Sequence, residues 1–340
     1  MPPRKELIDA FLSRIGWAEA VRAPLAGDAS NRRYERLHHP AHDPAVLMDA
    51  PPEKGEDIRP FIHIAEHLTS LGLSAPRIIA RDEEHGFLLL EDLGDDLFAR
   101  VIPKHPSLEI PLYETATDAL LKLHRAALPD GLAPYSPPVM AELAALAFDW
   151  YLGQTIGPNP QARSAFMTAF EPLLTTHAGE QSVLVQRDYH AENLLWLPDR
   201  AGAARVGLLD FQDAMTGHPA YDLVSLLQDA RRDVPPAIEA AMITRYLEHS
   251  SKDRDSFTTA YAVLGVQRNL RILGVFARLC LRDGKPHYVD LIPRVWDLLQ
   301  RDLDHPALIP IAAILRKALP APSATFLREL KSRCGTIQTP

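Results

Sequence analysis

The sequence predicts an α+β fold of two lobes, the first rich in strands and the second mostly helical. Three observations predict it. Up to residue 91, short apolar runs of strand length surround a single internal segment of helical period. Beyond residue 110, apolar residues recur at helical spacing over several long stretches. One strand-like island, residues 183–209, interrupts the helices and encloses a strongly polar loop. Sheet first and helices second is the pattern of an α+β chain. The expected division is an N-lobe over 1–91 and a C-lobe over 92–340, with Glu91-Asp92-Leu93-Gly94 as the joint.

The elements follow in order. Leu7, Ile8, Phe11, Leu12 and Ile15 share one helical face, so the chain is expected to begin with a helix. Val21 to Ala26, Arg33 to Leu37 and Ala45 to Met48 read as three strands. Phe61, Ile64, Ala65, Leu68 and Leu71 restore the helical period. Arg77 to Ala80 and Phe87 to Leu90 read as two more strands. Helices are expected over Pro111–Leu128, Pro138–Leu152, Ala162–Leu174, Ala237–Leu247 and Ser256–Leu281. No internal repeat is visible.

Composition narrows the class. Of the 340 residues 46% are apolar and 24% charged, an ordinary globular balance with enough chain for a sizeable core. Lys and Arg number 36 against 44 Asp and Glu, a net charge of −8 that argues against a general nucleic-acid binder. The two cysteines, Cys280 and Cys334, form no disulfide framework and match no zinc spacing, which points to a reducing cytoplasm. The charged, amphipathic N-terminus lacks the apolar core of a signal peptide, and no uncharged apolar window is long enough to span a membrane. The 30 prolines are scattered and form no low-complexity linker.

The polar loop carries the chemistry. Val183-Leu184-Val185 and Leu194-Leu195-Trp196 read as core strands, and between them lie Asp188, His190, Glu192 and Asn193. After the second strand comes a turn containing Gly202, then a returning strand, Val206 to Leu209, that ends at Asp210-Phe211-Gln212. A hairpin brings its ends together, so Asp210 is expected beside Asn193. The set offers one carboxylate, Asp188, to orient a nucleophile and take its proton. It also offers a carboxylate and an amide to hold a hard cation such as Mg²⁺. Phosphoryl transfer needs such positioning and charge neutralisation.

Asp188-x-x-x-x-Asn193, a hairpin and Asp210-Phe211-Gln212 resemble the catalytic core of the protein-kinase-like fold. His190, two residues after Asp188, resembles the aminoglycoside phosphotransferase and choline kinase branch, as do Leu120-Leu121-Lys122-Leu123-His124 and the hinge-like Leu88 to Gly94. That branch usually has His-Gly-Asp where this chain has Gln186-Arg187-Asp188. The stretches 26–37, 46–57, 210–235 and 267–279 are similar to the bacterial anomeric sugar kinases, over nearly the full length. The resemblance implies ATP and Mg²⁺ as cofactors and N-acetylmuramate and N-acetylglucosamine as acceptors, phosphorylated at the C1 hydroxyl in cell-wall recycling. It implies Asp188 as the catalytic residue, Asn193 and Asp210 on the metal, and adenine against the backbone near Glu91 and Leu93. No nucleic acid or membrane partner is expected, and the enzyme is expected to be a cytoplasmic monomer.

The pattern breaks at the third strand, where such folds carry a lysine for the α- and β-phosphates and this chain has Met48. A thioether supplies no charge. Arg32 or Arg33, in the loop Gly27 to Arg33, is the expected replacement. Glu66, the usual lysine's partner by position, reads as a solvated surface residue. Asp222 is implied to hold the catalytic loop's backbone, and His190 to be structural. Arg268 and Arg271 form part of an arginine row that ordinarily marks a solvated face. Arg268 or Arg271 is the candidate for an acid group on the sugar, Arg271 being the one carried as a site residue, with Asp213, Tyr221 and Asp229 as further substrate candidates. His38, His39 and His42 read as a polar turn. Two rival readings stand: a kinase of another small alcohol (choline, an aminoglycoside, homoserine), and a nucleotide-binding pseudokinase motivated by Met48 and Gln186.

Overall fold

The computed structural model describes residues 3–25 and 31–337. The loop positions Gly27 to Ser30, where a phosphate-covering loop is expected, lie outside the described residues. The chain opens with α1 (Arg4–Arg14), followed by β1 (Val21–Pro24), β2 (Arg33–His39) and β3 (His42–Asp49). Next come α2 (Arg59–Ser70), β4 (Ile78–Asp82), β5 (Phe87–Glu91), α3 (Phe98–Lys104) and α4 (Glu109–His124). Then follow α5 (Pro137–Ala144), a π-helical turn (Ala147–Leu152), α6 (Pro160–Ala178) and the short strands β6 (Val183–Val185), β7 (Leu194–Trp196), β8 (Val206–Leu208) and β9 (Met215–Gly217). The remainder is helical: α7 (Ala220–Leu227), α8 (Pro236–Glu248), α9 (Arg254–Leu281), α10 (Ile292–Asp302), α11 (Ile309–Ala318) and α12 (Ala324–Ser332).

By packing, the chain divides into two units. One runs up to Pro129 and includes Ala191–Ala214; the other is Asp130–His190 with the residues from Met215 onward. The first unit extends past the expected boundary at residue 91, the end of β5, and takes in α3, α4 and the β7–β8 hairpin. The reason is long-range. Leu208 N–H donates to the Ser74 carbonyl at 2.9 Å, and Lys122 Nζ on α4 donates to the Gly72 carbonyl at 3.1 Å. Such pairings leave no local mark in sequence.

In the first unit, five antiparallel strands form a sheet in the order β1-β2-β3-β5-β4. Side chains alternate across it. Leu37, Ala45, Leu47, Phe87 and Leu89 join Ile8, Phe11 and Leu12 of α1 in one apolar core. The opposite parity, Tyr34, Arg36, Val46, Met48, Leu88 and Leu90, turns to the other face, with Tyr34 paired to Met48 and Arg36 to Val46.

In the second unit, α9 is the organising element. Asp253 caps it by accepting the Ser256 N–H at 2.9 Å, a favourable N-cap. Its middle is buried on nearly every side, from Ala260 to Leu270. Gly274 lets Leu146 approach; a Cβ there would lie 2.4 Å from the Leu146 carbonyl carbon. β6 pairs with β9 rather than with the β7–β8 hairpin. No described helix is long and apolar enough to cross a membrane.

Candidate active site

In the first unit the hairpin places two metal-competent side chains together. Leu194 pairs with Leu208, and Leu209 N–H donates to the Asn193 carbonyl at 3.0 Å. Asn193 Nδ2 then lies 3.4 Å from Asp210 Oδ2, while Gln212 Nε2 donates to Asp210 Oδ1 at 2.7 Å. Asp210 has φ +57, the left-handed region that Asp and Asn tolerate better than most residues. Phe211 is fully buried, and its ring packs on Phe61 of α2 at 4.9 Å, anchoring the strand end. An amide oxygen and a carboxylate are the hard donors that suit Mg²⁺, which takes its remaining ligands from water and phosphate.

These two residues open onto a cavity of about 430 Å³ whose walls include Tyr34, Val46, Leu90, Glu91 and Leu93. Glu91 and Leu93, the residues of the expected hinge, both line this cavity. The Glu91 N–H is taken by the Arg77 carbonyl at 2.8 Å, and its carboxylate meets Arg77 and Arg200. Among the described residues, Arg32 and Arg33 are not in these walls; Arg36 and Arg100 are. Strand alternation explains it: Tyr34 and Arg36 share the cavity face, and Arg33 has the opposite parity and is exposed. Arg32 Nε donates to Glu56 Oε2 at 2.9 Å. Arg36 donates to Asp92 at 3.0 Å and to Asp95 at 2.7 Å, tying β2 to the segment after β5. Met48 is buried, and Glu66 is an exposed partner of Arg81 at 3.4 Å.

In the second unit the two residues before Asp188 are held by one buried carboxylate. Asp222 Oδ2 accepts the Gln186 N–H at 2.6 Å and Oδ1 accepts the Arg187 N–H at 2.9 Å. Burial pushes the Asp222 carboxyl up to about 7 against the pull of these two donors. Arg187 sits at φ +73, and among described residues other than glycine only it and Asp210 have positive φ. A side chain in that region costs roughly 1 kcal/mol or more relative to glycine. Its guanidinium lies over the Tyr135 ring, 5.3 Å from the centroid. Gln186 is buried, with no partner for its Nε2 among the described residues.

Asp188 is half-buried. Burial would raise its pKa, but the guanidiniums of Arg271, Arg268 and Arg187 outweigh burial and hold the carboxyl below its ordinary range. Arg271 is bonded to the Tyr221 hydroxyl, which lies 3.3 Å from that of Tyr135. Gln267 Nε2 donates to the Tyr135 hydroxyl at 3.1 Å. Arg268 is buried and donates to the Gln228 carbonyl at 3.1 Å. Its helical spacing suggested a solvated row, but α9 runs through the core and turns this face inward. His190 is buried, and burial pushes it down to about 4, so the neutral ring accepts from Arg231 through Nε2 at 3.1 Å. Asp229 is buried and accepts the Arg231 N–H at 2.8 Å; Asp213 is exposed.

The phosphotransferase enzyme family model matches residues 21–257. An N-acetylmuramate/N-acetylglucosamine kinase of Caulobacter vibrioides is 40% identical, over 92% of this chain and 95% of that protein. One of the same name from Pseudomonas aeruginosa is 37% identical, over 84% of this chain and 85% of that protein. Among solved structures, choline kinase LicA from Streptococcus pneumoniae has a TM-score of 0.62 at 14% identity, covering 87% of this chain and 99% of that one. ADP-bound aminoglycoside phosphotransferase APH(2'')-Ib has a TM-score of 0.58 at 13% identity, covering 87% and 96%. These likenesses show the bilobal kinase-like fold. The match over residues 21–257, together with full-length relatives at this identity, establishes that the chain belongs to the phosphotransferase enzyme (APH) family.

Proposed function

We propose that this protein is an ATP-dependent sugar kinase that phosphorylates the anomeric hydroxyl of N-acetylmuramate and N-acetylglucosamine in cytoplasmic cell-wall recycling. One observation carries the reading: relatives named for these two substrates match most of the chain at up to 40% identity. The cavity onto which Asn193 and Asp210 open takes the nucleotide, with its base against the backbone near Glu91 and Leu93. Asn193 and Asp210 hold magnesium, which supplies positive charge to the phosphates when bound. Asp188 orients the C1 hydroxyl and accepts its proton. Its neighbouring arginines keep it ionised at the cost of basicity, and a hemiacetal hydroxyl, more acidic than an ordinary alcohol, needs only modest assistance. Arg271, half-buried beside Asp188, is the candidate for an acid group on the sugar.

The pseudokinase reading keeps one observation in its favour, the buried Met48 on the third strand. Turnover separates the two. ATP consumption with Mg²⁺ is measured on N-acetylmuramate, N-acetylglucosamine, choline and kanamycin. Activity confined to the N-acetyl sugars supports the proposal. Activity on choline or kanamycin alone assigns another acceptor, and ATP binding without turnover on any of them favours the pseudokinase.

A further inference from the structure

We propose that Arg187 is a specificity-determining residue, which with Arg271 forms a two-cation receptor for an acid substituent on the acceptor sugar. The inference rests on the sugar-kinase reading and extends it to a residue that immediately precedes Asp188.

The backbone gives the first reason. Position 187 has φ +73, where glycine fits without strain and arginine does not. Strain of this kind persists where the surroundings over-determine it, and it clusters at ligand sites. Here Asp222 fixes the backbone, and the Ser225 hydroxyl adds a bond to the Arg187 carbonyl at 3.3 Å. What the strained residue contributes that glycine cannot is its guanidinium, aimed over the face of Tyr135.

The aromatic pair gives the second reason. Tyr135 meets Tyr221 edge-on, with centroids 5.0 Å apart and rings at 90°. Arg187 rests on the first ring and Arg271 is bonded to the hydroxyl of the second, so one rigid pair holds both cations. The tyrosines are buried, whereas both arginines keep part of their surface accessible. Arg268 is different: it is buried and directed at the Gln228 carbonyl. Arg187 and Arg271 are therefore two half-buried cations whose charge falls on the carboxylate of Asp188. Planar guanidinium groups match a carboxylate in geometry and charge. N-acetylmuramate carries a lactyl carboxylate and N-acetylglucosamine does not, so this pair of cations reads the difference between the two sugars.

Steady-state kinetics on both sugars tests the receptor in wild type, Arg187→Gly, Arg187→Gln and Arg271→Gln. Arg187→Gly relieves the backbone, so it keeps the fold, which a thermal melt verifies. In each variant the ratio of kcat/KM for N-acetylmuramate to that for N-acetylglucosamine falls about tenfold or more, through KM for N-acetylmuramate. An unchanged ratio overturns the receptor, whether both activities fall together or neither falls. A wild-type protein that turns over neither sugar overturns the underlying functional reading, and the receptor with it.

Discussion

The carboxylate of Asp222 fixes the backbone of Arg187, accepting its N–H at 2.9 Å with one oxygen while the other takes the N–H of Gln186 at 2.6 Å. Asp222→Ala leaves two backbone donors without acceptors, each costing about 1–3 kcal/mol where buried. The melting temperature falls by several degrees, and kcat falls about a hundredfold as the residues leading into Asp188 lose their constraint. Calorimetry and single-turnover rates check the two effects. A stable variant with normal kcat would show that the clamp is dispensable.

Asp188→Asn removes the proposed proton acceptor and leaves intact the cavity proposed for the nucleotide, because every residue lining that cavity belongs to the other unit. The expected loss in kcat is about 10²–10⁴-fold, with ATP affinity retained in a titration. Loss of nucleotide binding would place Asp188 in a different role.

Asp210→Asn keeps the left-handed backbone, which Asn tolerates, and deletes one negative charge. A magnesium titration of the rate is expected to shift to higher concentration, with kcat lowered about a hundredfold or more. An unaltered magnesium dependence would exclude Asp210 as a ligand.

Arg36→Ala raises the KM for ATP more than Arg33→Ala does, because Arg36 lines the cavity and Arg33 lies on the opposite strand face. The reverse order would restore Arg33 as the substitute for the missing lysine.

Asp302 gives a pH prediction. Burial lifts its carboxyl from 3.8 to about 8, although Oδ1 accepts Gln228 Nε2 at 3.1 Å. Because the folded value is the higher one, this group's favourable contribution is complete below pH 3.8. It is lost as the pH rises towards about 8, where the unfolded chain ionises freely and the folded one resists. Asp302→Asn is therefore expected to flatten the decline of melting temperature between pH 5 and 8 and to raise it at pH 8. Melting curves at the two pH values check this; an unchanged slope would show that Asp302 titrates normally.

The parts legible in sequence were those with a local signature. Phe87 to Leu90 announced a buried strand, and the two apolar runs around Pro198 to Ala203 announced the hairpin that joins Asn193 to Asp210. The register of β2 against β3 was hidden, and with it the placement of Arg36 on the cavity face; alternation from Tyr34 was the available clue. β9, Met215–Gly217, was missed because a three-residue strand with a glycine has no period to read. α10, α11 and α12 are short and begin near prolines or a serine, so scattered punctuation masked them. The positive φ of Arg187 had one available clue, the glycine that the resembled branch usually carries at this position.

The central claim is phosphoryl transfer from ATP to the anomeric oxygen. Phosphorus NMR of a reaction containing ATP, Mg²⁺ and N-acetylglucosamine or N-acetylmuramate tests it most directly. The account predicts a new sugar phosphate resonance coupled to the C1 proton with both sugars, absent with Asp188→Asn. Phosphate on any other hydroxyl, or ATP that persists unchanged beside both sugars, would contradict it.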